Sequence, residues 1–235
     1  MDRSEYDVAI IGGGSAGYAA ARTCSAAGQR TVVIEGGEEV GGLCILRGCM
    51  PTKALLQSAE ILHTVEKSGL FGVRTAPPGF DLKEIIARKD KLIRDFAEYR
   101  SNQLESKRFD FIRANASFTD SHTLQLSNGQ ELSARHFIIA TGSVVAPPPL
   151  TTLADVGYIT SDEALSLERL PKSMIVLGGG AVAVEFAQFF CRLGVRVTLI
   201  QRSKHLLKED DDDVASVIEQ VFRRERMTVF TGTNL

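Results

Sequence analysis

The chain has 235 residues, 44% of them hydrophobic, with 27 basic against 29 acidic side chains. That length fills one large α/β domain or two modest ones, and the balanced charge leaves no electrostatic footprint for nucleic acid or an anionic membrane surface. Four cysteines in a chain this long exclude a disulfide scaffold, which leaves small-molecule chemistry as the class that composition favours.

The N-terminus opens with Asp2, Arg3 and Glu5, then the apolar run YDVAII. That run is too short for a signal sequence or a membrane span, so a cytoplasmic location is the default expectation. Residues 7–37, DVAIIGGGSAGYAAARTCSAAGQRTVVIEGG, read as strand, glycine-rich turn, alanine-rich helix and second strand, a βαβ unit with parallel strands. Gly12, Gly14 and Gly17 set out G-x-G-x-x-G directly after the first strand. The first glycine permits a tight turn, the second lets the backbone approach a pyrophosphate, and the third allows the helix to pack closely on the strand. Glu35 ends the second strand, 23 positions after Gly12, where a carboxylate accepts hydrogen bonds from a ribose 2′-hydroxyl.

Residues 41–53, GGLCILRGCMPTK, put Cys44 and Cys49 five positions apart. They could be a structural pair, half of a metal site or a redox couple. On an undistorted helix, residues i and i+5 lie roughly 8 to 9 Å apart at Cα, whereas a disulfide needs less than about 7 Å. A bridge between them requires a distorted turn, which Gly48 permits, and strained bridges are the readily reduced kind. Cys49 precedes a helix expected to begin at Pro51, where the dipole and Lys53 would favour a thiolate. A metal site would need two further ligands at suitable spacing, and none lies close in sequence. Cys24 and Cys191 fall mid-helix and read as small apolar residues.

Residues 51–67 read as a helix with Ala54, Leu55, Ala59, Leu62 and Val65 on its apolar stripe, and residues 82–108 as a second, long and charged. Short strand-like runs follow: FDFIRANASF, HTLQLSNGQEL with a hairpin turn at Asn128-Gly129, and HFIIATG. The prolines Pro147 to Pro149 cannot continue a central strand. They divide the chain into a first domain over residues 1–150 and a second over 151–235.

Residues 173–203, SMIVLGGGAVAVEFAQFFCRLGVRVTLIQRS, repeat the βαβ pattern with Gly178, Gly180 and Ala183 in the glycine positions. Here the position 23 after Gly178 is Gln201, followed by Arg202. Losing the carboxylate removes repulsion toward a 2′-phosphate, and the guanidinium can pair with that phosphate, which favours NADPH over NADH. A helix over 213–226 and the strand MTVF complete the pattern, which is less than a six-stranded nucleotide domain and gives the chain the look of an N-terminal portion. His63, His122, His136 and His205 read as surface residues. The fold class is α/β: two Rossmann-like units with parallel sheets in three layers and a small antiparallel β addition.

Taken together, the first glycine motif with Glu35, the box GGLCILRGCMPTK, IIATGS at 138–143 and GGGAVAVEFA at 178–187 resemble the FAD-dependent pyridine nucleotide-disulfide oxidoreductases. That family includes dihydrolipoamide dehydrogenase, glutathione reductase and mercuric reductase. The resemblance implies FAD along the first unit, with its pyrophosphate on Gly12, Gly14, Ser15, Ala16 and Gly17 and its ribose on Glu35. It adds contacts from Gly42, Thr141 and Gly142, and sets Ala116 near the adenine. It implies NADP(H) on Gly178, Gly180, Ala183, Gln201 and Arg202. Cys49 resembles the flavin-proximal cysteine and Cys44 the interchange thiol that meets a disulfide or dithiol substrate. Lys53, near the flavin and paired with Glu185, would stabilise charge on the reduced ring. Leu43 and Leu46 depart from the threonine and asparagine usual in the box. Family members continue into an interface domain with a His-Glu pair acting across a homodimer, and that domain is absent from these residues. Two other readings compete. One is a non-catalytic nucleotide-binding module whose cysteines sense oxidation. The other is a flavin monooxygenase or ferredoxin-type reductase, which leaves the cysteine box unexplained.

Overall fold

A computed structural model describes residues 5–148 and 150–235. Pro149, the last of the boundary-marking prolines, lies outside them, as do Asp2 and Arg3. The chain packs as two units that interleave along the sequence. One comprises Met1–Pro51 and Lys91–Pro147, the other Thr52–Asp90 and Pro148–Leu235.

The first unit is built on a six-stranded sheet. Its elements are β1 (Tyr6–Ile11), α1 (Ser15–Ala26), β2 (Thr31–Glu35), α2 (Gly42–Leu46), β3 (Asp110–Arg113), β4 (Ala116–Phe118), β5 (Thr123–Leu126) and β6 (Glu131–Ile139). The first residues of α3 (Cys49–Lys67) and the second half of α4 (Leu82–Leu104) belong to it too. Strand order is β3-β2-β1-β6-β5-β4. The first four are parallel, while β4 and β5 are antiparallel additions, the latter joined to β6 by the hairpin turn at Gly129, φ +88°. Central strands covered on both faces carry near-continuous apolar runs. Ala9, Ile10, Val32 and Val33 are fully buried accordingly.

The second unit has a three-stranded parallel sheet, β7-β8-β9, of β7 (Ser173–Leu177), β8 (Arg196–Ile200) and β9 (Thr228–Phe230). Short helices α5 (Leu153–Val156) and α6 (Ser161–Ala164) precede it, and α7 (Ala181–Arg192) and α8 (Asp212–Arg224) flank it. Its core joins Phe186, Phe189 and Phe190 of α7 with Leu55, Ala59 and Leu62 of α3 and with Leu199, Phe222 and Met227. The buried face of α3 is therefore the stripe that its sequence periodicity predicts.

Three helix boundaries differ from expectation for local reasons. The helix predicted from Pro51 begins at Cys49. Proline is tolerated there because N–H groups of the first turn have no partner within the helix anyway. The long helix stops at Leu104, ahead of Lys107 with its positive φ of 62°. The last helix stops at Arg224, because Arg226 takes a left-handed φ of 69°. The fold is α/β with two Rossmann-like units, as the repeated pattern predicts.

Candidate functional site

In the first unit, Gly12 turns the chain out of β1 with φ +108°. Its N–H donates to Ile34 O at 2.7 Å, and a Cβ there would lie 2.3 Å from Ala140 O. The close neighbour, Ala140, directly follows β6, so Thr141 and Gly142, with φ +75°, come next beside the turn. A Cβ on Gly17 would lie 1.8 Å from Gly12 O, which makes that position obligatory glycine in this geometry.

The helix that follows is open at its N-terminus. Gly14 caps α1 without a side chain, and no acidic residue occupies the first turn. The first ladder bond runs from Tyr18 N–H to Gly14 O at 2.9 Å, so the N–H groups of Ser15, Ala16 and Gly17 precede the ladder. A cradle cleared of side chains, with free N–H groups and the positive end of a helix dipole, fits a pyrophosphate.

Glu35 is held in place from two sides. Gly13 N–H donates to its Oε2 at 2.8 Å and Gly37 N–H to its Oε1 at 2.7 Å. Each oxygen keeps a further lone pair for a ribose hydroxyl. The segment after it is fixed by Arg113, whose Nη2 donates to Glu38 O at 2.8 Å, and by Asn115, packed against Gly36. Neither residue stands out in the sequence. Ala116 opens β4, half-buried and paired with Leu126.

The cysteine turn sits against this cradle. Gly41 has φ +144° and Gly42 φ +67°, and a Cβ on Gly42 would lie 2.7 Å from Gly14 Cα. Helix α2 then carries Cys44 and ends at Arg47, φ −140°, before α3 opens on Cys49. The cysteines therefore occupy two helices separated by a break at Arg47 and Gly48, which is the distortion that their spacing demands. Both are free thiols. Burial pushes the Cys44 thiol up first and Cys49 adds to it, while a hydrogen bond with the Ser15 side chain works in the opposite direction. One pairing in this unit is unannounced by any motif: the Arg100 guanidinium carbon of α4 lies 4.1 Å from the Tyr18 ring centroid of α1.

In the second unit, Gly178 repeats the conformation of Gly12, with φ +108° and its N–H donating to Ile200 O at 2.9 Å. Gly180 caps α7, again without a side chain, and Ala183 lies in the first turn. Gln201 is buried, and its Oε1 accepts the Arg202 N–H at 3.0 Å. Arg202 itself is exposed. Lys53 Nζ donates to Glu185 Oε1, with the lysine side chain 59% exposed and the carboxylate 26%.

Elsewhere in this unit Arg192 is clamped by three carboxylate contacts. Its Nε and Nη2 donate to Glu225 at 3.1 and 2.7 Å, and its Nη1 donates to Glu60. His63 lies 3.9 Å from Glu225 and His205 3.5 Å from Glu219. Both rings are half-buried, correcting the surface reading for these two; carboxylate partners 162 and 14 residues away in sequence draw them inward. Among the described residues, no group of three or more His, Cys, Asp or Glu side chains is placed to hold a metal. No helix among them is long and apolar enough to cross a membrane.

A family model described as Pyridine nucleotide-disulphide oxidoreductase matches residues 6–235. The chain is 35% identical over 233 residues to a mercuric reductase of Lysinibacillus sphaericus, covering 99% of this chain and 42% of that protein. It is 34% identical to a dihydrolipoyl dehydrogenase of Acholeplasma laidlawii, covering 97% and 68%. Among solved structures it is similar to the Cu(II) complex of the HOCl-induced flavoprotein disulfide reductase RclA from Escherichia coli. There the TM-score is 0.80 at 28% identity, over 97% of this chain and 49% of that one. The chain thus spans about half the length of most of these relatives.

Proposed function

Because the chain belongs to the pyridine nucleotide-disulphide oxidoreductase family, we propose that it is the electron-transfer half of a flavoprotein disulfide oxidoreductase. Residues 1–150 act as the FAD-binding domain and residues 151–235 as part of the NAD(P)H-binding domain. The flavin supplies the two-electron relay between hydride donor and disulfide. Everything else falls to this chain's own residues. The open end of α1 binds the pyrophosphate, Glu35 the ribose, and Gly42, Thr141, Gly142 and Ala116 line the remaining length. Gly178, Gly180 and Ala183 receive the nicotinamide nucleotide, with Gln201 and Arg202 favouring NADPH.

The observation that carries this reading is the helix break that sets the free thiols Cys44 and Cys49 on two successive helices beside the phosphate cradle. Two thiols at such a break beside a nucleotide site can cycle through a disulfide. Reduction of the bridge consumes two electrons and two protons. An external disulfide then returns the pair to the oxidised form, so that NADPH, one proton and one disulfide give NADP⁺ and two thiols. Cys44 is assigned the attack on substrate and Cys49 the flavin side. Lys53, oriented by Glu185, is assigned charge stabilisation during flavin reduction. The complete protein is proposed to work as a homodimer on a small disulfide or dithiol.

The test is to express the chain, record its flavin spectrum and assay NADPH-dependent reduction of an aromatic disulfide reagent. Flavin retention, with a long-wavelength band on two-electron reduction that Cys49→Ser abolishes, supports the assignment. A chain that retains flavin yet oxidises and reduces Cys44 and Cys49 without any turnover would instead be a thiol sensor.

A further inference from the structure

Helix α8 buries three residues at helical spacing, Ala215, Glu219 and Phe222. A carboxylate on that face is out of keeping with its neighbours, because burying a charge is costly unless hydrogen bonds compensate it. Two bonds do so here. Glu219 Oε1 accepts the Leu206 N–H at 3.1 Å in a buried bond, and Oε2 accepts from Arg223 Nη1 at 3.1 Å. His205 Nδ1 lies 3.5 Å from the same Oε1 without a hydrogen bond, so what Glu219 holds is the backbone at Leu206 rather than the imidazole.

The loop it holds runs from Gln201 to Leu207, between β8 and α8, and both ends of the loop rest on the glycine turn of the second unit. A Cβ on Gly179 would lie 3.0 Å from Gln201 Cγ and 2.8 Å from Leu206 Cδ2. The Leu207 N–H donates to Gly179 O at 2.7 Å, and Leu206 is fully buried at this seam. Leu207 takes φ +47°, a left-handed conformation that a leucine adopts only where its surroundings fix it. Two consecutive N–H groups, one bonded to Glu219 and the next to Gly179, do the fixing. Nearer β8, the Gly232 N–H donates to Ser203 O at 2.7 Å. Between the anchored ends Arg202 stands exposed.

We propose that Glu219 is a positioning residue for the nicotinamide nucleotide. Its grip on the Leu206 N–H closes the 201–207 loop on the glycine turn and so fixes where Arg202 is presented. Discrimination between NADPH and NADH is thereby set in part from α8, 17 residues beyond the arginine. Without the acceptor, the Leu206 N–H is left buried and unpaired, which favours an open loop that carries Arg202 away with it. The inference rests on the second unit receiving NADPH, but its readout is nucleotide binding and requires neither flavin nor disulfide.

Glu219→Met keeps the length of the side chain and removes the acceptor. Calorimetric titration of the whole chain is expected to show NADPH binding weakened about tenfold, and NADH, which has no 2′-phosphate to lose, weakened less than about threefold. Glu219→Gln, which keeps one oxygen for Leu206, should stay within about twofold of the parent. If circular dichroism shows Glu219→Met to be unfolded, amide hydrogen exchange on the parent chain carries the test. The Leu206 and Leu207 N–H groups should then be protected, open together and slow further when NADPH is added. Unchanged NADPH affinity in folded Glu219→Met, an equal loss for both nucleotides, or exchange of Leu206 at the rate of an open loop overturns the proposal. So does a Glu219→Gln variant that falls as far as Glu219→Met, since charge rather than the Leu206 bond would then be at work. A parent chain that binds NADPH as expected but reduces no disulfide would sustain this inference and sink the functional reading alone.

Discussion

Gly12 and Gly178 share one backbone conformation, φ +108° in each, at the same step of two βαβ units. The units diverge one helical turn later, where Gly17 stands in the first and Ala183 in the second. A methyl group at position 17 meets Gly12 O at 1.8 Å, so Gly17→Ala requires the main chain to shift. We expect it to destabilise by about 1–3 kcal/mol, the usual range for overpacking, and to abolish flavin retention. The reciprocal Ala183→Gly should lose no more than the helix propensity difference, about 1 kcal/mol. Urea unfolding of both variants, with flavin content measured alongside, checks the contrast.

Glu35→Gln should weaken flavin binding and the loop that follows β2. The carboxylate accepts two backbone N–H groups, from Gly13 and Gly37. An amide retains one acceptor oxygen and turns its NH₂ toward the other donor. A charge-assisted bond contributes about 1.5–3 kcal/mol, and one of the two is lost outright. Flavin titration of the apoprotein is the measurement, and unchanged affinity would remove Glu35 from the ribose site.

Lys53→Met separates stability from chemistry. Exposed ion pairs contribute about 0–1 kcal/mol, and the Lys53 side chain is 59% exposed, so its thermal midpoint should barely move. Flavin reduction by NADPH should slow by roughly an order of magnitude or more if the ammonium stabilises developing charge. Stopped-flow absorbance resolves that step. A variant reduced at the parent rate would assign the Lys53–Glu185 pair to packing alone.

Glu225→Ala should be among the most damaging substitutions in the second unit. Arg192 and Glu225 are each 11% exposed at the side chain and share two hydrogen bonds. Removing one partner of a buried pair costs about 3–5 kcal/mol, and the remaining contact to Glu60 keeps the expected loss near the lower end. Denaturant midpoints measure it.

Stability should fall in alkali through Tyr6. Burial first, and then the hydrogen bond its hydroxyl donates to Asp110 at 2.8 Å, hold its phenol well above the usual range. The folded state therefore keeps a proton that the unfolded chain releases near pH ~10. That contribution is complete below the unfolded value and is lost as pH rises from there toward the folded one. Tyr6→Phe should be less stable than the parent at neutral pH and show a shallower alkaline decline. Parallel declines in the two proteins would discard Tyr6 as the cause.

Both βαβ units are legible in the sequence because their signals are local. A strand, a glycine turn and a helix start follow within a dozen residues, and hydrophobic periodicity supplies the rest. The break between Cys44 and Cys49 is legible as well, since a five-residue spacing conflicts with a helical bridge. Arg100 is not. It sits in a long charged helix 82 positions from Tyr18, and nothing in its neighbours marks it off from Arg88 or Arg94. The Arg192 clamp is hidden for the same reason, drawing Glu60 from 132 positions away and Glu225 from 33. Such groups acquire meaning only when packing removes water from them.

The approach of Gly42 to Gly14 bears on how the redox turn could be moved or altered. A single added methyl group at Gly42 would stand 2.7 Å from Gly14 Cα, so the cysteine turn and the phosphate loop share a seam without side chains. Residues 43–49 are consequently not a portable cassette. Grafted onto another βαβ scaffold, they would need a glycine in the host loop at the Gly14 position as well. A library that randomises either side of the seam alone should return almost only glycine there.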